Sequence, residues 1–181
     1  MLELKIPLSP EGWDEEKQEF VEPVTVVLQL EHSLVSISKW ESKWHKPFIT
    51  KKDKTFDETL DYIKCMTLTP NVDPEVYTKL SSEHFKEIND YIGDPMTATT
   101  VPDDKSGKTN RETPTSELIY YWMIASTIPF ECQYWHLNRL LMLIRVCSFK
   151  NATPKKRGSR DIMSQNHALN AARRKQLNTK G

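Results

Sequence analysis

The amino-acid sequence predicts an α+β fold in which helices predominate. Two runs near the N-terminus have the residue pattern of strands, apolar residues then recur at helical spacing, and cationic residues collect at the C-terminus. We expect a small N-terminal antiparallel sheet over 1–38, a helical bundle over 39–149 and a basic C-terminal extension over 150–181. Residues 1–149 have the length of a single globular domain.

Two strand patterns stand in the N-terminal region. Residues 2–8 alternate apolar with other side chains, which is the period of a half-buried strand, and Pro7 restricts that strand to a sheet edge. An acidic connector over 9–19 follows. Residues 23–30 are rich in β-branched side chains and predict a more buried strand. Residues 34–38 are expected to form a further strand that lies beside residues 23–30.

Helix signals begin after the strands. Ser38–Glu41 and Thr55–Glu58 have the spacing of a capping box, in which two side chains satisfy backbone N–H groups that the helix leaves free. Asp73-Pro74 predicts a third helix start, because proline is favoured in the first turn after a capping aspartate. Ser82 predicts a fourth helix start.

The most apolar part of the chain lies between residues 113 and 149. Helices are expected over 118–125 and 131–149. Apolar residues surround the second of these, so we expect it to be central and buried on most sides. A polar loop over 94–113 precedes both helices, and its length predicts that it is mobile.

Aromatic side chains are concentrated in the same region. Three of them are consecutive, Tyr120 to Trp122, and cannot all face one side of a helix, so at least one must lie off the core. Tyrosine and tryptophan are common core residues and also the usual anchors of protein interfaces, and both interpretations remain open. The candidate partner-binding residues are Tyr121, Trp122, Tyr134 and Trp135.

The net charge is zero, but the two signs are separated along the chain. From Ser148 onward there are nine basic residues and one acid, Asp161, which gives +8; residues 1–147 hold 16 basic and 24 acidic residues, which gives −8. Such an extension predicts contact with a polyanion or an acidic protein surface. A solubilising tail and a tail that folds onto its own acidic body are open alternatives. The candidate binding residues are Lys155, Lys156, Arg157, Arg173, Arg174 and Lys175.

No pattern of catalytic or ligand-binding residues is complete in the sequence. Gly107-Lys108-Thr109 looks like the end of a phosphate-binding loop, but Pro102 stands where that motif needs its first glycine. His136 is more typical of a core residue than of a general base. The three cysteines are expected to be buried free thiols rather than disulfides or metal ligands. We therefore expect a non-enzymatic protein with no cofactor, no metal and no membrane-spanning segment.

Three stretches, Leu30–Trp44, Trp135–Cys147 and Asn170–Gly181, together resemble small proteins of the virion-structure module of tailed bacteriophages. Within that group the sequence is similar to proteins labelled tail assembly chaperones. The resemblance covers most of the chain in order. It implies a largely helical, often oligomeric protein that binds the long helical tape measure protein, keeps it soluble and helps to recruit tail tube subunits.

The resemblance thus implies a non-enzymatic tail assembly chaperone in the host cell cytoplasm. Its partner would be the tape measure or tail tube protein, and a homo-oligomer is compatible with this role. Two alternatives remain open. One is a structural component of the mature phage particle, in the tail, the neck or associated with the capsid, which would place the protein in the virion. The other is a non-specific nucleic-acid binder that acts through the basic extension.

Overall fold

The computed structural model describes residues 1–8, 12–14, 19–21, 24–51, 53–101, 113–151 and 159–177. Within these ranges, strands lie near the N-terminus and helices follow from residue 34 onward. The predicted α+β fold with predominant helices is therefore confirmed. The chain divides into two compact units, Met1–Lys150 and Asn151–Gly181.

The N-terminal sheet has two antiparallel strands, β1 (Leu2–Pro7) and β4 (Thr25–Leu30), with Leu2 opposite Leu30. Both were predicted, because alternation and β-branched content are local signals. Between them, β2 (Gly12–Asp14) pairs with β3 (Glu19–Val21). A second pair of short strands therefore begins within the acidic connector and ends just after it.

The prediction of a strand at residues 34–38 was wrong, because helix α1 (Leu34–Trp44) already begins there. Ser33 caps this helix: its side chain accepts a hydrogen bond from the Ser36 N–H, and the Ser36 hydroxyl oxygen accepts one from the Ser33 N–H. The capping box thus stands five residues before the predicted one. The sheet ends at Leu30 and not at residue 38.

The next three helices begin close to their predicted starts. Helix α2 (Phe56–Met66) has the predicted capping box at Thr55, and α3 (Pro74–Thr78) is capped by Asp73. Helix α4 (Ser82–Gly93) is capped by Ser81, one residue before the predicted cap. Helix α2 leaves Phe56 exposed and buries Tyr62, Ile63 and Met66.

The predicted helix over 131–149 is broken. A 3₁₀ helix (Phe130–Tyr134) comes first. His136 then forms an isolated antiparallel β-bridge with Ser33, and α6 (Leu137–Asn151) begins at the next residue. Only Leu137, Leu140 and Ile144 of α6 are buried, so the expectation of a helix buried on most sides was wrong. Its other apolar side chains are half-buried or exposed.

Helix α1, rather than α6, occupies the central position. It contacts α2, the 3₁₀ helix and α5 (Ser116–Ala125). Trp40 of α1 is fully buried and its indole N–H donates a hydrogen bond to the Glu58 carbonyl oxygen at 2.8 Å. The other largest fully buried side chains belong to the same hydrophobic core: Leu4, Ile6, Leu28, Leu30, Leu34, Ile37, Ile63, Met66, Ile119, Met123 and Leu140.

The second unit contains helix α7 (Ser159–Leu177). Every described side chain of α7 is exposed. Residues 102–112 of the predicted polar loop lie outside the described residues, so the mobility of that loop stays a prediction.

A buried carboxylate connects α1 to α5. Glu41 Oε1 accepts a hydrogen bond from the Phe48 N–H at 2.8 Å, and Oε2 accepts one from the Ser116 N–H at 2.7 Å. Ser116 is the first residue of α5, so its N–H has no partner within the helix. The carboxylate also lies at the positive end of the α5 dipole. One side chain therefore positions the start of a helix 75 residues further along the chain.

We predict that Glu41→Ala destabilises the protein by about 3 kcal/mol, because two buried N–H groups lose their acceptor and each loss costs about 1–3 kcal/mol. Urea unfolding followed by circular dichroism measures the free energy of unfolding. The matched control is Glu87→Ala, an exposed glutamate on α4, for which a change within about 0.5 kcal/mol is expected. Equal stability of Glu41→Ala and the control would contradict the prediction.

Two buried histidines lie against each other where β4 ends and α6 begins. The ring centroids of His32 and His136 are 5.1 Å apart, and His32 Nδ1 is hydrogen-bonded to the Tyr62 hydroxyl. His136 Nε2 donates to the Tyr91 carbonyl oxygen at 3.0 Å, while its Nδ1 accepts from the Asn138 N–H. A neutral ring satisfies both contacts. His136 is therefore a core residue, as the sequence indicates.

Burial, with smaller contributions from His136 and Lys54, lowers the pKa of His32 to about 3. In the unfolded chain the pKa is about 6.5, so the unfolded state takes up this proton at a higher pH than the folded state. Above pH 6.5 His32 is largely neutral in both the folded and the unfolded state, so its protonation does not change the free energy of unfolding. Stability is lost as the pH falls from 6.5 towards 3, by up to about 1.4 kcal/mol per pH unit.

We predict that the free energy of unfolding decreases between pH 6.5 and pH 5, and that the decrease is smaller in His32→Gln. Denaturant titrations at several pH values measure the free energy of unfolding of both proteins. Glu58 contributes little in this window. Hydrogen bonds from Lys46 and Lys51, and from the Thr55 N–H, lower its folded-state pKa to about 2, and its unfolded-state pKa is about 4.3, so the stability that it contributes is lost mainly below pH 5. Identical pH slopes for the two proteins would contradict the assignment to His32.

Candidate partner-binding surface

Helix α5 has one buried and one exposed face. Ser116, Ile119 and Met123 are buried. Glu117, Tyr121 and Ile124 follow at intervals of four and three residues, which places them together on the opposite face. Tyr121 and Ile124 are each 62% exposed. The hydrogen bond from Ser116 to Glu41 holds the buried face inward and thereby directs these side chains outward.

The 3₁₀ helix extends this exposed face through Tyr120. The Tyr120 hydroxyl donates a hydrogen bond to Gln133 Oε1 at 2.9 Å, and the Tyr120 and Phe130 ring centroids are 6.3 Å apart. Burial and the nearby Tyr134 raise the pKa of Tyr120. Phe130 is 53% and Tyr134 is 63% exposed. Because Tyr120 and Ile124 are neighbours on α5, these side chains form one area, the aromatic surface: Tyr120, Tyr121, Ile124, Phe130 and Tyr134.

The charged side chains on α5 and the 3₁₀ helix, the two elements that carry the aromatic surface, are all negative. Residues 113–134 contain no lysine or arginine. Glu117 on α5 and Glu131 on the 3₁₀ helix are both exposed. The area therefore combines exposed apolar side chains with carboxylates and lacks cations of its own.

The four aromatic candidates separate into two pairs. Tyr121 and Tyr134 belong to the aromatic surface, whereas Trp122 and Trp135 are half-buried and pack against the core. The Trp135 ring is also covered by the Arg139 guanidinium, which lies 4.3 Å from the ring centroid.

Three residues of the aromatic surface, Tyr120, Ile124 and Phe130, were not among the partner-binding candidates from the sequence. Ile124 was part of a predicted helix whose exposed face was unknown, and Phe130 directly precedes the helix predicted over 131–149. A local signal for Phe130 exists: Pro129 precedes it directly, and Thr127 has a positive φ of 56°. The chain therefore turns before Phe130 and separates it from α6.

The basic candidates lie in the second unit. Arg173, Arg174 and Lys175 are exposed in the last turns of α7. Lys155, Lys156 and Arg157 lie outside the described residues. Three large apolar side chains of α7 are exposed with them: Met163, Leu169 and Leu177.

Cys65, Cys132 and Cys147 are free thiols; Cys132 is buried, the other two are half-buried, and burial raises the pKa of Cys65. No group of three histidine, cysteine or acidic side chains in the described ranges could hold a metal ion. An open depression of about 290 Å³ is lined by Gly93, Pro95, Thr97, Asn138, Leu141, Met142 and Arg145. None of the described helices is long and apolar enough to cross a membrane.

The aromatic surface is the arrangement best suited to hold another molecule, because exposed apolar areas bordered by polar groups accept amphipathic helices. Comparison of the chain with models of known families, with characterised proteins and with solved structures found no match.

Proposed function

We propose that this chain is a phage tail assembly chaperone that binds the helical tape measure protein through the aromatic surface and acts by binding alone. The observation that carries the proposal is the joint exposure of Tyr121, Ile124, Phe130 and Tyr134. Contiguous apolar areas on a protein surface mark sites of interaction. The resemblance of three sequence stretches to tail assembly chaperones supports the choice of partner.

An amphipathic helix fits the aromatic surface in shape. Such a helix presents apolar residues at intervals of three and four, and a groove or flat area of rings receives them. Tyrosine rings provide a large contact area with few rotatable bonds, so little side-chain entropy is lost on binding. Tyr121 and Tyr134 are the expected anchors, because they are the most exposed rings of the surface.

The charges favour a partner helix with cations beside its apolar face. Glu117 and Glu131 are exposed beside the aromatic side chains, and residues 113–134 contain no lysine or arginine. Opposite charges at the rim of an interface raise the association rate and disfavour partners of the wrong sign. An acidic partner helix is therefore a poor fit.

The aromatic surface is supported by regular structure, which keeps it ready for binding. Its residues stand on α5 and the 3₁₀ helix, and Tyr120 joins these two elements through its hydrogen bond to Gln133. A surface that is already ordered loses less entropy when a partner binds. Protection of an aggregation-prone helical protein requires this kind of stable apolar contact and no chemical step.

We predict that the double variant Tyr121→Ser/Tyr134→Ser binds the tape measure protein at least tenfold more weakly, since truncation of an anchor ring costs about 2 kcal/mol or more. Co-expression followed by affinity capture shows whether the complex forms, and titration calorimetry with a tape measure fragment gives the affinity. The double variant is also expected to leave more of the co-expressed tape measure protein insoluble.

The matched control is Phe56→Ser, which removes an exposed ring from α2, outside the aromatic surface. We expect it to bind like the wild type. Equal binding by the double variant and the control would contradict a role for the aromatic surface. Recovery of the chain in purified virions, in stoichiometric amounts, would instead favour a structural component of the particle.

A further inference from the structure

Three lysines surround one buried carboxylate at the start of α2. The Glu58 side chain is 1% exposed, and its Oε1 accepts hydrogen bonds from Lys46 Nζ at 2.7 Å and from Lys51 Nζ at 2.5 Å. Because both ammonium groups contact the same oxygen, their nitrogen atoms lie within about 5 Å of each other. Lys54 lies beside them, since its ammonium group donates to the Lys51 carbonyl oxygen at 2.8 Å. The lysine cluster, Lys46, Lys51 and Lys54, therefore holds three positive charges around one negative charge.

Lys54 is the least compensated member of the lysine cluster. Its half-buried side chain forms no ion pair with a carboxylate of the described residues, and its ammonium group lies 4.1 Å from the centroid of the Phe48 ring. Burial, together with the charge of Lys51, lowers the pKa of Lys54. An ammonium group has three N–H donors, and the Lys51 carbonyl oxygen accepts from one of them. The cluster thus has positive charge and N–H donors that Glu58 alone does not satisfy.

We propose that the lysine cluster binds a phosphate group, either as the free ion or at the end of a small monoester. A phosphate group has more than one negative charge near neutral pH and several acceptor oxygens, so it can contact two or three ammonium groups at once. The cluster is open to such a ligand, because the side chains of Lys46 and Lys51 are 47% and 26% exposed. The inference goes beyond the proposed function, because it requires neither the aromatic surface nor a protein partner.

The other acids close to the lysine cluster in sequence do not neutralise it by direct contact. Asp53 and Asp57 are exposed, and no ion pair of the described residues joins either of them to the three lysines. The Glu41 carboxylate accepts hydrogen bonds from two backbone N–H groups instead. Glu58 is therefore the carboxylate that competes with a bound phosphate. A ligand with a single negative charge, such as acetate, compensates less of the excess charge and is expected to bind more weakly.

Titration calorimetry of the full-length protein with inorganic phosphate, at constant ionic strength, tests the proposal. We expect saturable binding by the wild type. Binding by Lys54→Gln is expected to be about tenfold weaker, because the variant loses the attraction between one ammonium group and the phosphate. Lys54 makes no ion pair with Glu58, so its replacement leaves the contacts of Glu58 with Lys46 and Lys51 in place. The matched control is Lys5→Gln, which removes an equal charge from an exposed lysine of β1 and is expected to bind like the wild type.

A second variant, Glu58→Gln, is expected to change the affinity in the opposite direction. Glutamine keeps an acceptor for the Thr55 N–H, because glutamate and glutamine both serve at this position of a capping box. The neutral side chain removes the competing negative charge from the lysine cluster. We therefore expect phosphate to bind Glu58→Gln about tenfold more tightly than the wild type. Phosphate should also raise the thermal unfolding temperature of this variant more than that of the wild type. Lysines that serve only to stabilise the fold would produce no gain in affinity.

Three results would overturn the proposal: no saturable binding of phosphate by the wild type, equal affinities of Lys54→Gln and Lys5→Gln, or a folded Glu58→Gln that binds phosphate no more tightly than the wild type. Circular dichroism verifies the fold of each variant. Adenosine monophosphate is titrated in parallel, and the tighter of the two ligands identifies the free ion or a monoester as the source of the phosphate group. Because tape measure protein is absent, these results are separate from any failure of the chaperone proposal.

Discussion

The two hydrogen bonds of the Glu41 carboxylate are the constraint on which the arrangement of helices depends. A buried carboxylate is costly unless both oxygens find donors, and here the donors are the backbone N–H groups of Phe48 and Ser116. Since Ser116 opens α5, this contact sets the rotation of α5 against α1. Ile119 and Met123 then face the core, and Tyr121 faces solvent. The aromatic surface is thus a consequence of a buried polar contact on its reverse side.

Local signals in the sequence account for the elements that were predicted well. Alternation identifies β1, and the capping residues Thr55 and Asp73 identify α2 and α3, because each of these patterns acts over a few residues. Two predictions were wrong at positions where contacts between residues distant in sequence determine the secondary structure. Residues 34–38 have β-branched character, yet the Ser33 cap and burial of Ile37 and Trp40 on one face make them helical. The break before α6 follows from the bridge between Ser33 and His136, which local periodicity does not contain.

The distinction between local sequence signals and contacts distant in sequence also applies to the aromatic surface. Three consecutive aromatic residues require that at least one leave the core, and Tyr121 does so. The choice of which face of α5 is exposed depends on Glu41, 75 residues earlier, and therefore could not be read from the pattern within the helix. Exposure of Ile124 was missed for this reason. The described side chains of α7 are exposed in the folded chain.

The central claim is that Glu41 holds α5, and with it the aromatic surface, in a fixed orientation. Native-state hydrogen exchange of backbone amides in the wild type and in Glu41→Gln tests this claim directly. We predict that amides of α5 and of the 3₁₀ helix exchange at least tenfold faster in the variant, while those of β1 and β4 change by a much smaller factor. Unchanged exchange in α5, or acceleration by the same factor in the strands, would contradict the account.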